Sequence, residues 1–490
     1  MGSRSRLLAA ALALVTALAA LPERPRAQTS VPLPTPSTPS PESTPSAPST
    51  GPVDEGELLD VRRSGDEVLD PIRIARGKVL VRRRTPSGDA DFETIAIGDA
   101  DPDRTARELT THPDIAAAQP AYRMYPRAIP NDPLFRRQWN LSQLHMEDAW
   151  DLQRGLSEPI IVAVLDTGVA YTDATVDYVG YPLGYNGVLF PALGPLTLHF
   201  AAAPELGRSS RFVAPWDFIW NTGRPLDLDG HGTHVAGTIG QLTNNHIGPA
   251  GIAPDVRLMP LKVLSTTWDD AFASPNIGTD ETVARGIRYA VDHGARVLNL
   301  SIGRTGPPAP VLEDAMRYAV GRGAFIAVAA GNGHEAGDPT EVLAEIASRL
   351  EGAVAVGAVT QNRKRAYYSN VGPHVELVAP GGSFRDDGPQ GGIVQQTYDL
   401  NVVETYSLTS RGFAAPRFDV MASLYFTGTS SAVPHVSGVA AMLMQRGLRD
   451  PAAIETLLER TAIDLGTPGR DDEYGYGELD ARAALRAARR

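Results

Sequence analysis

The stretch FTGTSSAVPHVSGVAAML, residues 426–443, decides how the rest of the chain is read. Two glycines and several hydroxyl residues lead into a run of small and apolar side chains. Gly428 permits a tight turn or a close backbone approach. Pro434 would cost about 3 kcal/mol in a helix interior but is tolerated near a first turn. Ser430 therefore falls close to a helix start, where open N–H groups and the helix dipole favour developing negative charge. A serine so placed is a candidate nucleophile. A plain Ser/Thr helix cap is the competing reading, and the remaining chain has to choose.

The parts around that stretch have several characters. At about 150 residues per domain, 490 residues allow two to four domains. The absence of cysteine excludes disulfides, thiolate catalysis and Cys-based zinc sites. A net charge of −12 argues against a nucleic-acid partner. Residues 1–27 read as an export signal: Arg4 and Arg6 precede an apolar run over 7–21 that is short for a bilayer span. No other stretch approaches a span, so the mature chain is expected to have none. Residues 28–57 are rich in Pro, Ser and Thr and read as an extended linker. Within 58–128, strands are expected over 78–82, 92–97 and 115–122 and a helix over 103–109, which makes a small α+β unit.

From Asn131 onward, strands and helices alternate. The continuous apolar run over 160–165 suits a parallel strand buried on both faces. Further strands are expected over 297–300, 324–329, 354–359 and 375–379, and helices over 281–293 and 312–320. This pattern implies an α/β fold with a parallel sheet between helices, and such sheets carry function at the carboxyl ends of their strands. Asp166 ends the first run. His231 lies in DLDGHGTHVAGTIG, residues 227–240, and Asn332 in AVAAGNGH, residues 327–334. A serine hydroxyl needs an adjacent base, and the base needs a group that fixes its tautomer, roles that Ser430, His231 and Asp166 can fill. The Asn332 amide could donate to an oxyanion. Each has a plainer reading: Asp166 as a turn cap, His231 with His234 as an H-x-x-H metal pair lacking a third strong ligand, and Asn332 as one residue of a glycine-rich turn.

Taken together, VAVLDTG, DGHGTHVAG, AAGNG and GTSSAVPHVSG, in that order, resemble the subtilisin-like serine protease family over about 131–485. The resemblance implies a three-layer fold with a central parallel sheet over 129–490 and an inhibitory pro-domain over 58–128, cut off near 125–130. It makes Ser430 the nucleophile, His231 the general base and acid, Asp166 the orienting carboxylate, and Asn332 the oxyanion donor beside the Ser430 N–H. NLSIG, residues 299–303, resembles the strand that pairs with substrate, with Ser301 and Gly303 lining the first specificity pocket. TNNHIGPAG, residues 243–251, resembles a calcium loop. Asn245 would ligate by its side chain, and Thr243, Ile247 and Pro249 by carbonyls, with Asp132 contributing a carboxylate. The family's further aspartate after Asp166 has no clear match; Asp173 and Asp177 are candidates.

The implied protein is a secreted endopeptidase of proteins and peptides, inhibited by its own pro-domain until that is removed. A neutral-to-alkaline optimum is expected, because the base must be neutral. Two other readings are weighed. An acid peptidase would pair a GTS serine with carboxylates, which the HGTH motif disfavours. A non-catalytic scaffold is disfavoured because all four chemical positions are filled. Two long segments, near 178–215 and 383–423, read as loop insertions. Of Glu335, Glu341 and Glu345, the expectation is an outward acidic face on a helix rather than a pocket acid.

Overall fold

The structure is a computed structural model that describes residues 74–85, 88–98, 100–122, 129–153, 159–185, 188–207, 209–403, 406–407 and 412–488. The export signal, the linker, the start of the 58–128 region and most of its expected cleavage stretch lie outside these residues. The described residues form two compact units, one within Val31–Arg127 and one within Ala128–Arg490.

In the first unit, strands β1 (Ile74–Thr85), β2 (Gly88–Ala96) and β3 (Ile115–Tyr122) form an antiparallel sheet in the order β2-β1-β3. Helix α1 (Pro102–Thr110) starts where Asp101 accepts the Arg104 N–H at 2.7 Å and Pro102 occupies the first turn. Val79, Val81, Ala106 and Ile115 make its small core.

The second unit is built on seven strands: β4 (Ile161–Asp166), β5 (Trp216–Asp217), β6 (Arg257–Lys262), β7 (Val297–Leu300), β8 (Phe325–Ala329), β9 (Ala353–Val359) and β10 (Leu377–Pro380). They pair in parallel in the order β10-β9-β8-β7-β4-β6-β5. Alternate side chains divide the apolar surface between two layers. Val162, Val164, Phe325, Ala327, Val354 and Val356 join one core with helices α2 (His231–Gly240) and α6 (Thr429–Gln445). Ala163, Leu165, Leu298, Ile326 and Val328 join another with α3 (Asp280–Asp292), α4 (Pro310–Gly321) and α5 (Val342–Ala347). This is a subtilisin-like α/β arrangement of helices on both faces of a parallel sheet. Helix α6 is buried along nearly its whole length, as its small and apolar residues on every side require.

Strand β6 was not anticipated from the sequence, because Pro260 interrupts it. The strand tolerates this proline because β5 pairs only with Leu261 and Lys262, so Pro260 lacks a partner on that side. The two long insertions also differ from the loop expectation. Ala174–Val179 pairs antiparallel with Pro195–Phe200, and β11 (Ile393–Tyr398) with β12 (Met421–Phe426). The insertions meet where the Phe200 ring stacks on Phe418 at 4.9 Å and the Ala201 N–H donates to the Phe418 carbonyl.

Candidate active site

Asp166 is the last residue of β4 and is fully buried. Its Oδ1 accepts the Thr167 N–H at 2.7 Å and lies 2.7 Å from His231 Nδ1. That contact places the imidazole proton on Nδ1 and leaves Nε2 as a base. His231 opens α2, and the Asp229 carboxylate accepts its N–H at 3.0 Å. A Cβ on Gly232 would sit 2.1 Å from the Gly168 carbonyl oxygen, so only glycine lets α2 approach the end of β4 this closely. Burial opposes the charged imidazolium. The Asp166 carboxylate outweighs it, helped by Asp229 and Asp227, and holds His231 above the ordinary histidine range.

Two groups behind this pair escaped the sequence reading. Asp227 is buried and ties the segment after Asp166 to the start of α2. Its Oδ1 accepts from Thr167 Oγ1 and the Asp229 and Gly230 N–H groups, and its Oδ2 accepts from the Thr233 N–H and hydroxyl. Lys262, also buried, donates to the Thr167 carbonyl at 2.7 Å and pairs with Asp269 at 2.8 Å. The DLDG spelling hints at the first. Nothing local signals the second, because Thr167 is remote in sequence and Asp269, though nearby, gives no sign that the pair will be buried.

Ser430 is the second residue of α6, and Gly428 precedes the helix with φ 151° and ψ 161°. A Cβ on Gly428 would lie 2.9 Å from Ser430 Oγ and 3.7 Å from Asn332 Nδ2, so the two side chains flank one point. Asn332 lies just beyond the end of β8. Its Oδ1 accepts the Thr429 N–H at 2.8 Å and the Thr429 hydroxyl at 3.0 Å. This anchors the amide, and its Nδ2 has no acceptor among the described residues. With the Thr429 N–H taken, the Ser430 N–H is the next open donor at the helix start.

Pro434 lies inside α6, beyond its first turn. It cannot donate to the Ser430 carbonyl, the bond that residue i+4 normally makes. Ser301, the residue after β7, donates its hydroxyl to that carbonyl at 2.8 Å, and Asn299 Nδ2 in turn donates to Ser301 Oγ at 3.0 Å. Gly303 follows two residues later. Of the other histidines, His435 donates from Nδ1 to the Ser431 carbonyl and accepts from Asn140 at Nε2. His234 stacks on Phe426 at 4.1 Å and spends Nε2 on backbone carbonyls, away from any shared ligand with His231.

The 243–249 loop curls through left-handed residues at Asn244, His246 and Gly248. Asp132 is buried against it and accepts the Asn244 N–H at 2.8 Å. Asp173 and Asp177 are not at this loop. They cap the Ala202 N–H and the Thr197 hydroxyl on the first insertion. A second carboxylate at the loop is Glu205, fully buried, with Oε2 accepting from Gln241 at 3.2 Å and Asn245 at 3.5 Å. Its Oε1 has no partner among the described residues, and burial and then the Asp132 charge raise its pKa, with Gln241 and Asn245 opposing. Two buried carboxylates beside this loop, one with an orphaned oxygen, suit a hard divalent cation. Glu205 escaped notice because the 174–200 insertion displaces it from Asp166.

The family model for subtilases matches residues 157–477. The chain is a member of the subtilase family. As a subtilase it is a serine-type endopeptidase. It is 31% identical over 385 residues to a thermophilic serine proteinase of Bacillus sp. strain AK1, covering 78% of this chain and 76% of that one. It is 29% identical over 435 residues to an extracellular protease of Xanthomonas campestris, covering 85% of this subtilase and 65% of its relative. A solved protease structure from Pseudoalteromonas arctica aligns with a TM-score of 0.55 at 26% identity, covering 74% of this chain and 99% of the other.

Proposed function

We propose that this subtilase is an exported endopeptidase that cuts peptide bonds through an acyl-enzyme on Ser430. The observation that carries the reading is the 2.7 Å contact between His231 Nδ1 and Asp166 Oδ1, which leaves Nε2 free to act as a base. His231 Nε2 takes the Ser430 proton as Oγ attacks the scissile carbonyl. The resulting oxyanion accepts from Asn332 Nδ2 and the Ser430 N–H. His231 then gives its proton to the leaving amine, and water repeats the cycle to release the acid. Ser301 and Gly303 line the pocket for the substrate residue on the acyl side.

Asp132, Glu205, Asn245 and the carbonyls of Thr243, Ile247 and Pro249 would hold calcium. The ion supplies positive charge between carboxylates that otherwise repel, and it stabilises the fold by binding only the native state. The unit within 58–128 serves as an intramolecular inhibitor until the chain cuts it away. Export is supported by the signal-like 1–27 segment and by the extracellular relative. No helix among the described residues is long and apolar enough to cross a membrane.

A fluorophosphonate probe, with intact mass measured beside Ser430→Ala, tests the reading. Wild type should carry the label on Ser430 and lose its N-terminal region; Ser430→Ala should do neither. Equal labelling or equal processing of the two chains would overturn it.

A further inference from the structure

Glu341 precedes α5 at the position where a side chain usually caps the helix, yet it caps nothing. The Arg304 carbonyl takes the Val342 N–H at 2.8 Å instead, and the Glu341 side chain turns away from the helix. Its stem lies over Gly331, where a Cβ would meet its Cγ at 2.7 Å. Its head lies over Gly303, where a Cβ would meet its Oε2 at 2.8 Å. This overturns the expectation of an outward acidic face, at least for Glu341. Gly331 is the residue before Asn332. Gly303 lies two residues past Ser301, whose hydroxyl holds the Ser430 carbonyl. The carboxylate thus sits between the two segments that flank the nucleophile.

One oxygen of that carboxylate has no partner among the described residues. Oε2 is sealed from solvent and makes no hydrogen bond. Arg304, the cation that acts on it, is already forked onto Asp280 at 2.7 and 2.5 Å and bound to the Thr305 and Pro307 carbonyls. Burial, opposed by Arg304, pushes the Glu341 carboxyl up to about 7. An acid with a sealed, unpartnered oxygen is penalised unless a cation or donor reaches it. Gly303 and Gly331 present no side chains that could do so. On the endopeptidase reading above, Ser301, Gly303 and Asn332 border the acyl-side pocket, so a substrate side chain bound there would be the group that approaches this carboxylate.

We propose that Glu341 forms the floor of the acyl-side specificity pocket and selects a lysine or arginine at the residue whose carbonyl Ser430 attacks. The inference rests on the endopeptidase reading above and adds its substrate class. An ammonium or guanidinium supplies three to five N–H donors to an acceptor that has none. An aromatic or aliphatic side chain would seal the carboxylate with no partner at all, so the pocket discriminates by penalty as well as by attraction.

The test uses two peptide p-nitroanilides of identical sequence that end in Arg or Phe. In the processed wild type, kcat/KM should favour the Arg peptide by about tenfold or more, a preference typical of a site with a buried polar group awaiting its partner. Glu341→Gln keeps the shape and removes the charge, and should cut that ratio by about tenfold or more. The wild-type ratio should also rise with pH as Glu341 ionises near 7, and the variant's should stay flat. A purely structural role would not move a ratio between two substrates. Melting temperature guards against misfolding: Glu341→Gln should melt no lower than wild type, because it removes an unpaired acid. A wild type that prefers Phe, or a Gln variant whose ratio stays within about twofold, overturns the pocket assignment while leaving the hydrolase intact. Failure to cut either peptide, or casein, overturns the hydrolase reading and the pocket with it.

Discussion

The imidazole of His231 faces a carboxylate, Asp166, whose second oxygen has no hydrogen-bond partner among the described residues. An incompletely compensated buried charge at 2.7 Å favours the protonated ring even though burial disfavours it, and the balance raises the pKa. The proposed mechanism needs the neutral ring, so on that reading activity falls as pH drops through the raised value. The acid limb of kcat/KM should therefore lie above the ordinary histidine value of about 6.5. Asp166→Asn should move what activity survives back toward that value, as a pH–rate profile would reveal. A limb at or below 6.5 in wild type would contradict the charge balance described for this pair. Stability carries the matching sign. The imidazolium–carboxylate attraction is fully present below the unfolded histidine value and is lost as pH rises through the folded one. Residue types alone left plainer readings for Asp166, His231 and Ser430; the ordered set of motifs, through its resemblance to a family, is what suggested these roles. Glu341 was spelled out as clearly, but its direction was not. A helix face is read from spacing, whereas Glu341 stands one residue before the helix, where spacing says nothing.

Helix α6 solves a problem that its own sequence creates. Pro434 strips the Ser430 carbonyl of its usual donor, and the Ser301 hydroxyl, carried on a different strand end, replaces it. The proline and the hydroxyl are thus coupled across 133 residues of chain. In a Ser430→Ala background, where self-digestion cannot blur the unfolding curve, Ser301→Ala should cost about 1–2 kcal/mol. With Pro434→Ala present, residue 434 regains its N–H and the cost should fall by about half or more, because the carbonyl has a local donor again. Denaturant unfolding of the four chains closes the cycle, and strict additivity would argue that the two residues do not share this carbonyl. Elements built on long apolar runs could be placed from sequence to within about two residues: β7 falls where expected, and β10 shifts by two. Strand β6 could not, because its legitimacy depends on how little of it β5 covers. Asp227 and Lys262 were hidden for a related reason, since each also works on Thr167, which only folding brings near.

At the scale of the molecule, a chain without cysteine has no covalent cross-link to hold the 243–249 loop, Asp132 and Glu205 together. If calcium does so, removing it should loosen the fold. At a free ion level about a thousandfold above its dissociation constant, the ion adds about 4 kcal/mol. Chelation should then lower the melting temperature by on the order of 10 °C. Glu205→Gln should shrink that difference, and an unchanged melting temperature after chelation would count against the site. The parallel sheet has a separate consequence for the lifetime of the enzyme. Val297 pairs with Val162, and Arg257 with Ile161, so neighbouring strands are joined by very long stretches of chain. Such pairings form slowly, since loop closure comes before any reward from contacts. A chain that has opened is therefore exposed to its still-folded neighbours, which are proteases, for far longer than a hairpin-rich protein would be. What preserves a population of such molecules is the height of the barrier to opening more than the depth of the native well.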